Sequence, residues 1–184
     1  MEKIILASKS PRRKQILELA EIKFEIASLD TDETFPSTLS VKEVPGFIAQ
    51  KKAQAMHDLY SNCIIISADT IVTIDEKIIG KPKNKEDAIQ ILKTLSGRTH
   101  HVITGVCIKK EEKEIIFSET TAVEFDVLTL EEIEHYVEKY RPYDKAGAYA
   151  IQEWIGVIGI KNINGCYYNV MGLPMNKLLK YLAK

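Results

Sequence analysis

Cysteine and histidine are scarce in this sequence, which has three of the former and four of the latter in 184 residues. Cys63, Cys107 and Cys166 are an odd number without Cys-x-x-Cys spacing, which argues against a disulfide scaffold and predicts reduced, structural thiols. His100 and His101 are neighbours, but adjacent residues of a strand point to opposite faces and make a poor metal chelate. Thiol redox chemistry and a histidine-based metal site are therefore not expected.

An excess of charge of either sign is also lacking, because 25 Lys and Arg residues stand against 26 Asp and Glu residues, for a net charge of -1. This balance and the lack of an aromatic platform argue against a nucleic-acid-binding module. No apolar run is long enough to span a bilayer, and the first residues lack the apolar region of a signal peptide. We therefore expect a soluble, cytoplasmic protein that binds neither nucleic acid nor a membrane.

The remaining composition, 45% hydrophobic and 28% charged, is that of a folded domain. Without a linker, repeat or low-complexity segment, it predicts one domain over residues 1–184 with room for two lobes. Hydrophobic periodicity predicts strands at 4–7, 22–27, 63–74, 78–79, 100–108, 114–127 and 157–160. Capping signals and helical periodicity predict helices at 11–20, 45–60, 85–95, 130–140 and 174–182.

The first stretch joins a strand to an unusual helix start. Ile4–Ala7 is typical of a buried strand, and the next helix is predicted to have Ser10 as its N-cap and Pro11 in its first turn. Residues 12–14 are all cations, at a helix end that disfavours positive charge by roughly 0.3–1 kcal/mol each. We interpret them as a binding site for a phosphate chain, against the alternative that the side chains extend into water.

Two residues stand out further along the chain because their charges fall on apolar elements. Asp69 lies in the middle of the strongest predicted strand, so it must meet a cation, a metal ion or the open edge of a cleft. Lys52 falls inside the apolar stripe of the helix at 45–60. Its side chain either reaches an edge to meet water or enters a cleft where an anion compensates its burial.

Cations and carboxylates from separate elements are predicted to share one cleft. The residues concerned are Arg12, Arg13, Lys52 and Lys81, with Glu33 and Asp69. Glu33 belongs to an acidic turn, and a solvated loop is the more common explanation of such a cluster taken alone. Together the residues suit phosphoryl chemistry on a phosphorylated small molecule, with a hard divalent cation held by oxygen ligands.

The sequence resembles the Maf family of nucleoside triphosphate pyrophosphatases in stretches that run in family order from end to end. They are Leu6–Arg13, Glu33, Lys52-Ala53, Ala68–Val72, Gly80–Pro82, Leu95–Arg98, Asp144–Gln152 and Asn169–Pro174. The resemblance implies hydrolysis between the α and β phosphates to the monophosphate and pyrophosphate, with Mg²⁺ or Mn²⁺. It also implies a homodimer and a two-lobed α/β fold of the Maf/inosine-triphosphatase type. In that fold helices flank a long mixed central sheet, and the active-site cleft lies between the lobes.

The resemblance also implies roles for the charged residues. Asp69 matches the catalytic proton acceptor, and Glu33 matches a metal or water partner, so these two carboxylates are the expected metal ligands. Arg13, Lys52 and Lys81 match phosphate contacts, and both lysines are expected to take part in catalysis.

A second group of matching positions concerns the substrate. Ser8 and Ser10 are expected to contact it, and Arg12, Thr70 and Gln152 match positions associated with substrate choice. With the segment 144–149, Gln152 resembles the subgroup that acts on dTTP and UTP, with modified pyrimidine triphosphates as a further class. Its amide offers a donor and an acceptor to the edge of uracil or thymine. The alternative is a nucleotide-binding regulator of septum formation that hydrolyses nothing.

Overall fold

The computed structural model describes residues 2–182. Within that range it has seven strands, β1 (Ile4–Ala7), β2 (Glu25–Ala27), β3 (Ile64–Ile74), β4 (Lys77–Ile79), β5 (Thr99–Lys110), β6 (Lys113–Phe125) and β7 (Ile160–Asn164). The α-helices are α1 (Pro11–Leu19), α2 (Val44–His57), α3 (Lys85–Leu95), α4 (Leu130–Tyr140), α5 (Trp154–Gly159), α6 (Tyr167–Met171) and α7 (Met175–Leu182). A short 3₁₀ helix lies at Ala146–Ala148.

The strands form one mixed sheet in the order β2-β1-β3-β5-β6-β7, and β4 pairs with β3. β1 is parallel to both β2 and β3, whereas β4 is antiparallel to β3 and β7 is antiparallel to β6. The predicted α/β class with a long mixed central sheet is therefore confirmed. The pairing of β1 with β3 stops at Leu6 and Ile66, so the part of β3 that carries Asp69 continues beyond the end of β1.

The chain folds as two compact units, and β3, β5 and β6 contribute residues to both. The first unit contains the chain up to Thr70, Thr104–Glu119, and the chain from Gly172 onward. The second unit contains Ile71–Ile103 and Thr120–Met171.

In the first unit, α2 packs against the sheet. The shared core consists of apolar side chains, most of them alanine and isoleucine, namely Ile5, Ala7, Ala49, Ala53, Met56, Ile65 and Cys107. A side chain at Gly105 of β5 would lie within 2.1 Å of the Gly46 backbone, so the start of α2 approaches this strand where only glycine fits. This close packing fixes the helix that carries Lys52.

In the second unit, α3 and α4 pack together and each begins at a defined cap. The Asn84 side chain accepts a hydrogen bond from the Asp87 amide, and Thr129 forms a reciprocal capping box with Glu132. Both predicted helix starts are therefore confirmed.

The prediction of a strand at 157–160 is wrong. Trp154–Gly159 forms α5, and β7 begins only at Ile160. A run of four apolar residues is too short for its periodicity to separate a strand from a helix. The predicted strand at 22–27 is shortened to Glu25–Ala27, because β2 pairs with only three residues of the short strand β1.

The helices between residues 2 and 182 include none with both the length and the apolar character that a membrane span requires.

Candidate active site

Two serines shape the turn between β1 and α1. Ser8 Oγ accepts hydrogen bonds from the Ser10 amide and from Arg13 Nη1, each at 3.2 Å. Ser10 Oγ accepts from the Arg13 amide at 3.4 Å, which confirms the predicted N-cap. A hydroxyl group has two acceptor positions and one hydrogen, so Ser8 with both acceptor positions in use can still donate to an anion.

The two arginines at the start of α1 have different surroundings. Arg13 turns into the first unit and donates to the Ala68 carbonyl at 2.8 Å and to Thr70 Oγ1 at 3.0 Å. Burial lowers the pKa of the Arg13 guanidinium from its ordinary value, and the nearby charge of Asp69 opposes this effect. Extension into water is therefore the wrong interpretation for Arg13. Arg12 is half-buried, and its contact with substrate stays a prediction.

Lys52 joins the two carboxylates predicted for the site. Its Nζ atom lies 2.8 Å from Asp69 Oδ1 and 2.6 Å from Glu33 Oε1. The side chains of Lys52 and Asp69 are only 17% and 14% exposed, whereas that of Glu33 is 52% exposed. The structure therefore confirms the alternative in which anions compensate the burial of Lys52. Asp69 meets a cation, as a buried carboxylate in a strand requires.

The loop that carries Glu33 is held by the same helix, α2. Lys51 Nζ lies 3.0 Å from Asp32 Oδ2 and 3.1 Å from the Thr34 carbonyl oxygen. Hydrogen bonds from the Thr34 hydroxyl and amide, together with Lys51, lower the pKa of Asp32 to about 2. Lys51 and Lys52 of α2 thus bind Asp32 and Glu33 of the loop. The loop is therefore held by the helix and is not simply a solvated turn.

Glu33 and Asp69 fit the predicted metal site in donor type. Three or more His, Cys, Asp or Glu side chains do not converge as a metal-binding group anywhere in the described chain. Mg²⁺, however, is usually bound by one or two carboxylates together with waters and substrate phosphates. Two carboxylate oxygens already converge here on one positive charge, the Lys52 ammonium. The pair is therefore a suitable partial ligand set for an ion that binds together with a phosphate chain.

Two predicted site residues, Lys81 and Gln152, belong to the second unit, and both are exposed. Lys81 follows β4, which pairs with β3 in an antiparallel hairpin. Gln152 follows the segment that contains the 3₁₀ helix. The roles of both residues stay predictions.

A buried polar network supports the segment that leads to Gln152. Lys145 Nζ lies 3.6 Å from Glu153 Oε1, and the Tyr136 hydroxyl donates to the other oxygen of the same carboxylate. The Ala150 amide donates to the Tyr136 hydroxyl at 3.2 Å. Sequence reasoning missed Tyr136, because its helical position indicates only a core side chain and nothing local identifies the partner of its hydroxyl group.

The scarce histidines are oriented as predicted, with His100 buried and His101 exposed. In the second unit, His100 Nε2 lies 2.7 Å from the Tyr149 hydroxyl, and burial lowers the pKa of His100 to about 4.

The three cysteines are free, in agreement with the expected reduced thiols. Burial raises the pKa of Cys107 to about 12, which makes this thiol a poor nucleophile.

A family model described as "Maf-like protein" matches residues 3–184. The chain belongs to the Maf family. Two curated proteins named "dTTP/UTP pyrophosphatase" are similar to it over almost their full lengths. The Bacteroides thetaiotaomicron protein is 48% identical over 183 residues, with 98% of this chain and 95% of the relative covered. The Phocaeicola vulgatus protein is 50% identical over 184 residues, with 99% and 95% covered.

A solved structure has the same overall fold as this Maf family chain. The structure of the Staphylococcus aureus Ham1 protein aligns with a TM-score of 0.59, covering 99% of this chain and 98% of the other. Only 16% of the aligned residues are identical, so the likeness concerns the fold alone.

Proposed function

We propose that this Maf family chain hydrolyses dTTP and UTP to the monophosphate and pyrophosphate. Two relatives that are 48% and 50% identical to it carry the name dTTP/UTP pyrophosphatase. The observation that carries the proposal is the setting of Asp69, whose carboxylate is ion-paired with Lys52 and whose two chain neighbours are hydrogen-bonded to Arg13. A carboxylate, a positively charged side chain and serine hydroxyl groups that donate hydrogen bonds are the groups that phosphoanhydride hydrolysis needs.

Asp69 is the residue that we assign to proton transfer. A water molecule attacks the α-phosphorus, the bond between that phosphorus and the α–β bridging oxygen breaks, pyrophosphate leaves with that oxygen, and Asp69 accepts the proton of the water. Lys52 lies at hydrogen-bonding distance from Asp69 and supplies positive charge next to the reacting groups. The Ser8 hydroxyl is a suitable donor to a phosphate oxygen.

Glu33 and Asp69 are the residues that we propose to hold Mg²⁺ or Mn²⁺. A bound divalent ion supplies Lewis-acid stabilisation of charge on the phosphate chain. Lys52 neutralises both carboxylates in this structure, and an ion held by Glu33 and Asp69 would leave its ammonium available to a phosphate oxygen. Removal of divalent ions by a chelator should abolish turnover, and added Mg²⁺ or Mn²⁺ should restore it.

We propose that Gln152 selects the base, with Arg12 and Thr70 contributing to substrate choice and Lys81 contacting phosphate. The side-chain amide of Gln152 has a donor and an acceptor that match N3–H and O4 of uracil or thymine. Gln152→Glu replaces the donor with a second acceptor, so we expect weaker turnover of dTTP and UTP relative to 7-methyl-GTP. An unchanged order of preference would remove Gln152 from this role.

The test of the activity is a panel of triphosphates assayed by pyrophosphate release with Mg²⁺ or Mn²⁺. We expect dTTP and UTP to be hydrolysed faster than 7-methyl-GTP, and modified pyrimidine triphosphates should be included. If nucleotides bind but no triphosphate in the panel releases pyrophosphate with either ion, the non-catalytic regulator of septum formation is favoured instead.

We further propose that the protein works as a homodimer in the cytoplasm. The support is the resemblance of its motifs along the whole chain to those of the Maf family. Sedimentation equilibrium of the purified chain tests the dimer, and a single species at the mass of one chain would contradict it.

A further inference from the structure

The guanidinium of Arg13 is almost fully used inside the protein. Nε donates to the Gly172 carbonyl at 2.8 Å, and Nη1 donates to the Ala68 carbonyl at 2.8 Å and to Ser8 Oγ at 3.2 Å. Nη2 donates to Thr70 Oγ1 at 3.0 Å. These bonds occupy four of the five N–H groups of a guanidinium, so the paired N–H groups that bind phosphate in a forked geometry are already engaged.

The partners of Arg13 show what the side chain holds in place. Ala68 and Thr70 stand on either side of Asp69 in β3, and successive strand residues point to opposite faces. Because the Thr70 hydroxyl faces Arg13, Asp69 points to the other face, where Lys52 lies at 2.8 Å. A side chain that fixes the backbone on both sides of Asp69 also fixes the direction of its carboxylate.

Arg13 also supplies a hydrogen bond to β3 beyond the point where β1 stops pairing with that strand. The pairing of β1 with β3 ends at Leu6 and Ile66, two residues before Ala68. The chain then passes from β1 into α1, and the Arg13 side chain supplies the hydrogen bond to the Ala68 carbonyl. Thr70 is held from a second side as well, because its hydroxyl group lies 2.9 Å from Thr104 Oγ1 of β5.

We propose that Arg13 is a positioning residue that aims the Asp69 carboxylate and does not bind the triphosphate. This inference rests on the proposed function, because it assigns the aimed carboxylate to catalysis. It revises the prediction that Arg13 contacts phosphate, and it leaves that role to Arg12, Lys52 and Lys81.

The test compares substitutions that keep the charge but remove the forked geometry. Arg13→Lys retains one positive charge, and a lysine cannot reach several acceptors at once. We expect its kcat for dTTP to fall by about 10–100-fold, because a small misplacement of a catalytic group has effects of that order. The KM of Arg13→Lys should change by less than about threefold, because the variant keeps the contacts that bind the substrate and the transition state equally well. Arg12→Lys should instead raise KM.

Direct binding measurements separate positioning from phosphate contact. The probe is a dTTP analogue with a methylene group between the α and β phosphates, measured by calorimetry with Mg²⁺. Arg13→Lys should bind it within about threefold of the wild-type Kd. The matched control is Arg98→Lys, since Arg98 forms an exposed ion pair with Asp75 and should keep wild-type kcat, KM and Kd.

A second variant covers the case in which Arg13→Lys does not fold. Gly172 has φ +112°, and an added Cβ would lie 3.4 Å from both Arg13 Nε and Thr70 Oγ1. Those distances are ordinary contacts, but a side chain at this φ is strained, and relief of the strain should shift the peptide whose carbonyl accepts from Arg13 Nε. Gly172→Ala should therefore displace the guanidinium without removing its charge, and it should lower kcat with little change in analogue binding.

The outcomes reject different parts of the argument. If the wild-type protein releases no pyrophosphate from any triphosphate, the proposed function fails. If the wild-type protein hydrolyses dTTP but Arg13→Lys retains kcat and loses analogue binding by tenfold or more, roughly the value of a lost charged contact, then Arg13 is a phosphate ligand and the positioning role is overturned.

Discussion

The two units of this chain use buried charge in different ways. In the first unit, Lys52 neutralises two carboxylates, and one of them belongs to the half-exposed side chain of Glu33. In the second unit, Lys145 lies 2.7 Å from the exposed carboxylate of Asp144 and 3.6 Å from Glu153, whose carboxylate is also bound by the buried hydroxyl group of Tyr136. Both networks therefore have an exposed carboxylate at one end, but the second also has a fully buried member, the Tyr136 hydroxyl, which accepts a hydrogen bond from the Ala150 amide.

The difference suggests that the first network performs chemistry and the second maintains the shape of a loop. The exposed carboxylate of each network, Glu33 or Asp144, can change partners at small cost, because water replaces the lost partner. Removal of the fully buried Tyr136 hydroxyl costs stability, because the groups that it bound stay in the interior without that partner. Substitutions in the Lys52 network should therefore affect mainly turnover, and substitution of Tyr136 should affect mainly stability.

The largest expected effect is at Asp69. Asp69→Asn removes the proposed proton acceptor and should lower kcat for dTTP by about 10²–10⁴-fold, the usual contribution of a general base. Nucleotide affinity should remain close to that of the wild type, as measured by calorimetry. The control is Asp75→Asn, which changes an exposed carboxylate paired with Arg98 in the second unit and should leave turnover unchanged. Wild-type kcat in Asp69→Asn would mean that the first network is not the reacting one.

The next effect concerns the network of the second unit. Tyr136→Phe leaves the Glu153 carboxylate and the Ala150 amide without the hydroxyl group that they share. The free energy of unfolding should fall by about 1–3 kcal/mol, which lowers Tm by about 2–4 °C per kcal/mol in a chain of this size. Tyr143→Phe, at an exposed position, is the control and should keep the wild-type Tm. Equal Tm values for both variants would contradict the supporting role of Tyr136.

His100 makes the stability of the second unit dependent on pH. Its pKa in the folded protein is about 4, below the ordinary value of 6.5, because burial disfavours the charged ring and His101 adds to the effect. As pH falls, His100 therefore takes up a proton in the unfolded chain before it does so in the folded chain, which favours unfolding. The free energy of unfolding is at its full value above pH 6.5 and decreases as pH falls from 6.5 toward 4. Between about pH 7.5 and pH 5, the loss should be roughly 2 kcal/mol.

Urea unfolding at the two pH values measures this loss. His100→Gln should show a smaller pH dependence than the wild type, whereas His101→Gln should show the wild-type dependence because that ring is exposed. Parallel behaviour of wild type and His100→Gln would remove His100 as the titrating group.

The elements that sequence analysis predicted well have local causes. The N-caps Ser10, Asn84 and Thr129 each accept a hydrogen bond from an amide three residues later, so the signal and the contact lie within one turn of chain. The single charge of Asp69 in an apolar strand was equally informative, because burial of a carboxylate demands a partner wherever that partner lies in the sequence.

The remaining features depend on contacts between distant residues. The Arg13 side chain bonds to the Gly172 carbonyl, which is 159 residues away, and sequence gives no pattern for a bond from a side chain to a remote backbone atom. For that reason the cations at the start of α1 suggested an anion, whereas the acceptors found for Arg13 are carbonyl and hydroxyl oxygens. The helix at Trp154–Gly159 was missed because tertiary packing decides the conformation of so short a run.

The smallest effect compares one glycine from each unit. Gly172 of the first unit has φ +112°, a backbone conformation in which any other side chain is strained. Gly80 of the second unit has open space around the position of an added Cβ, with no heavy atom of the described chain within 4 Å. Gly172→Ala should therefore lower the free energy of unfolding by about 1–2 kcal/mol, whereas Gly80→Ala should change it little or raise it by up to about 1 kcal/mol. Urea unfolding of both variants measures the difference. Equal values would mean that the peptide at Gly172 can move without strain, and the Arg13 hydrogen bonds would then constrain Asp69 less than the distances imply.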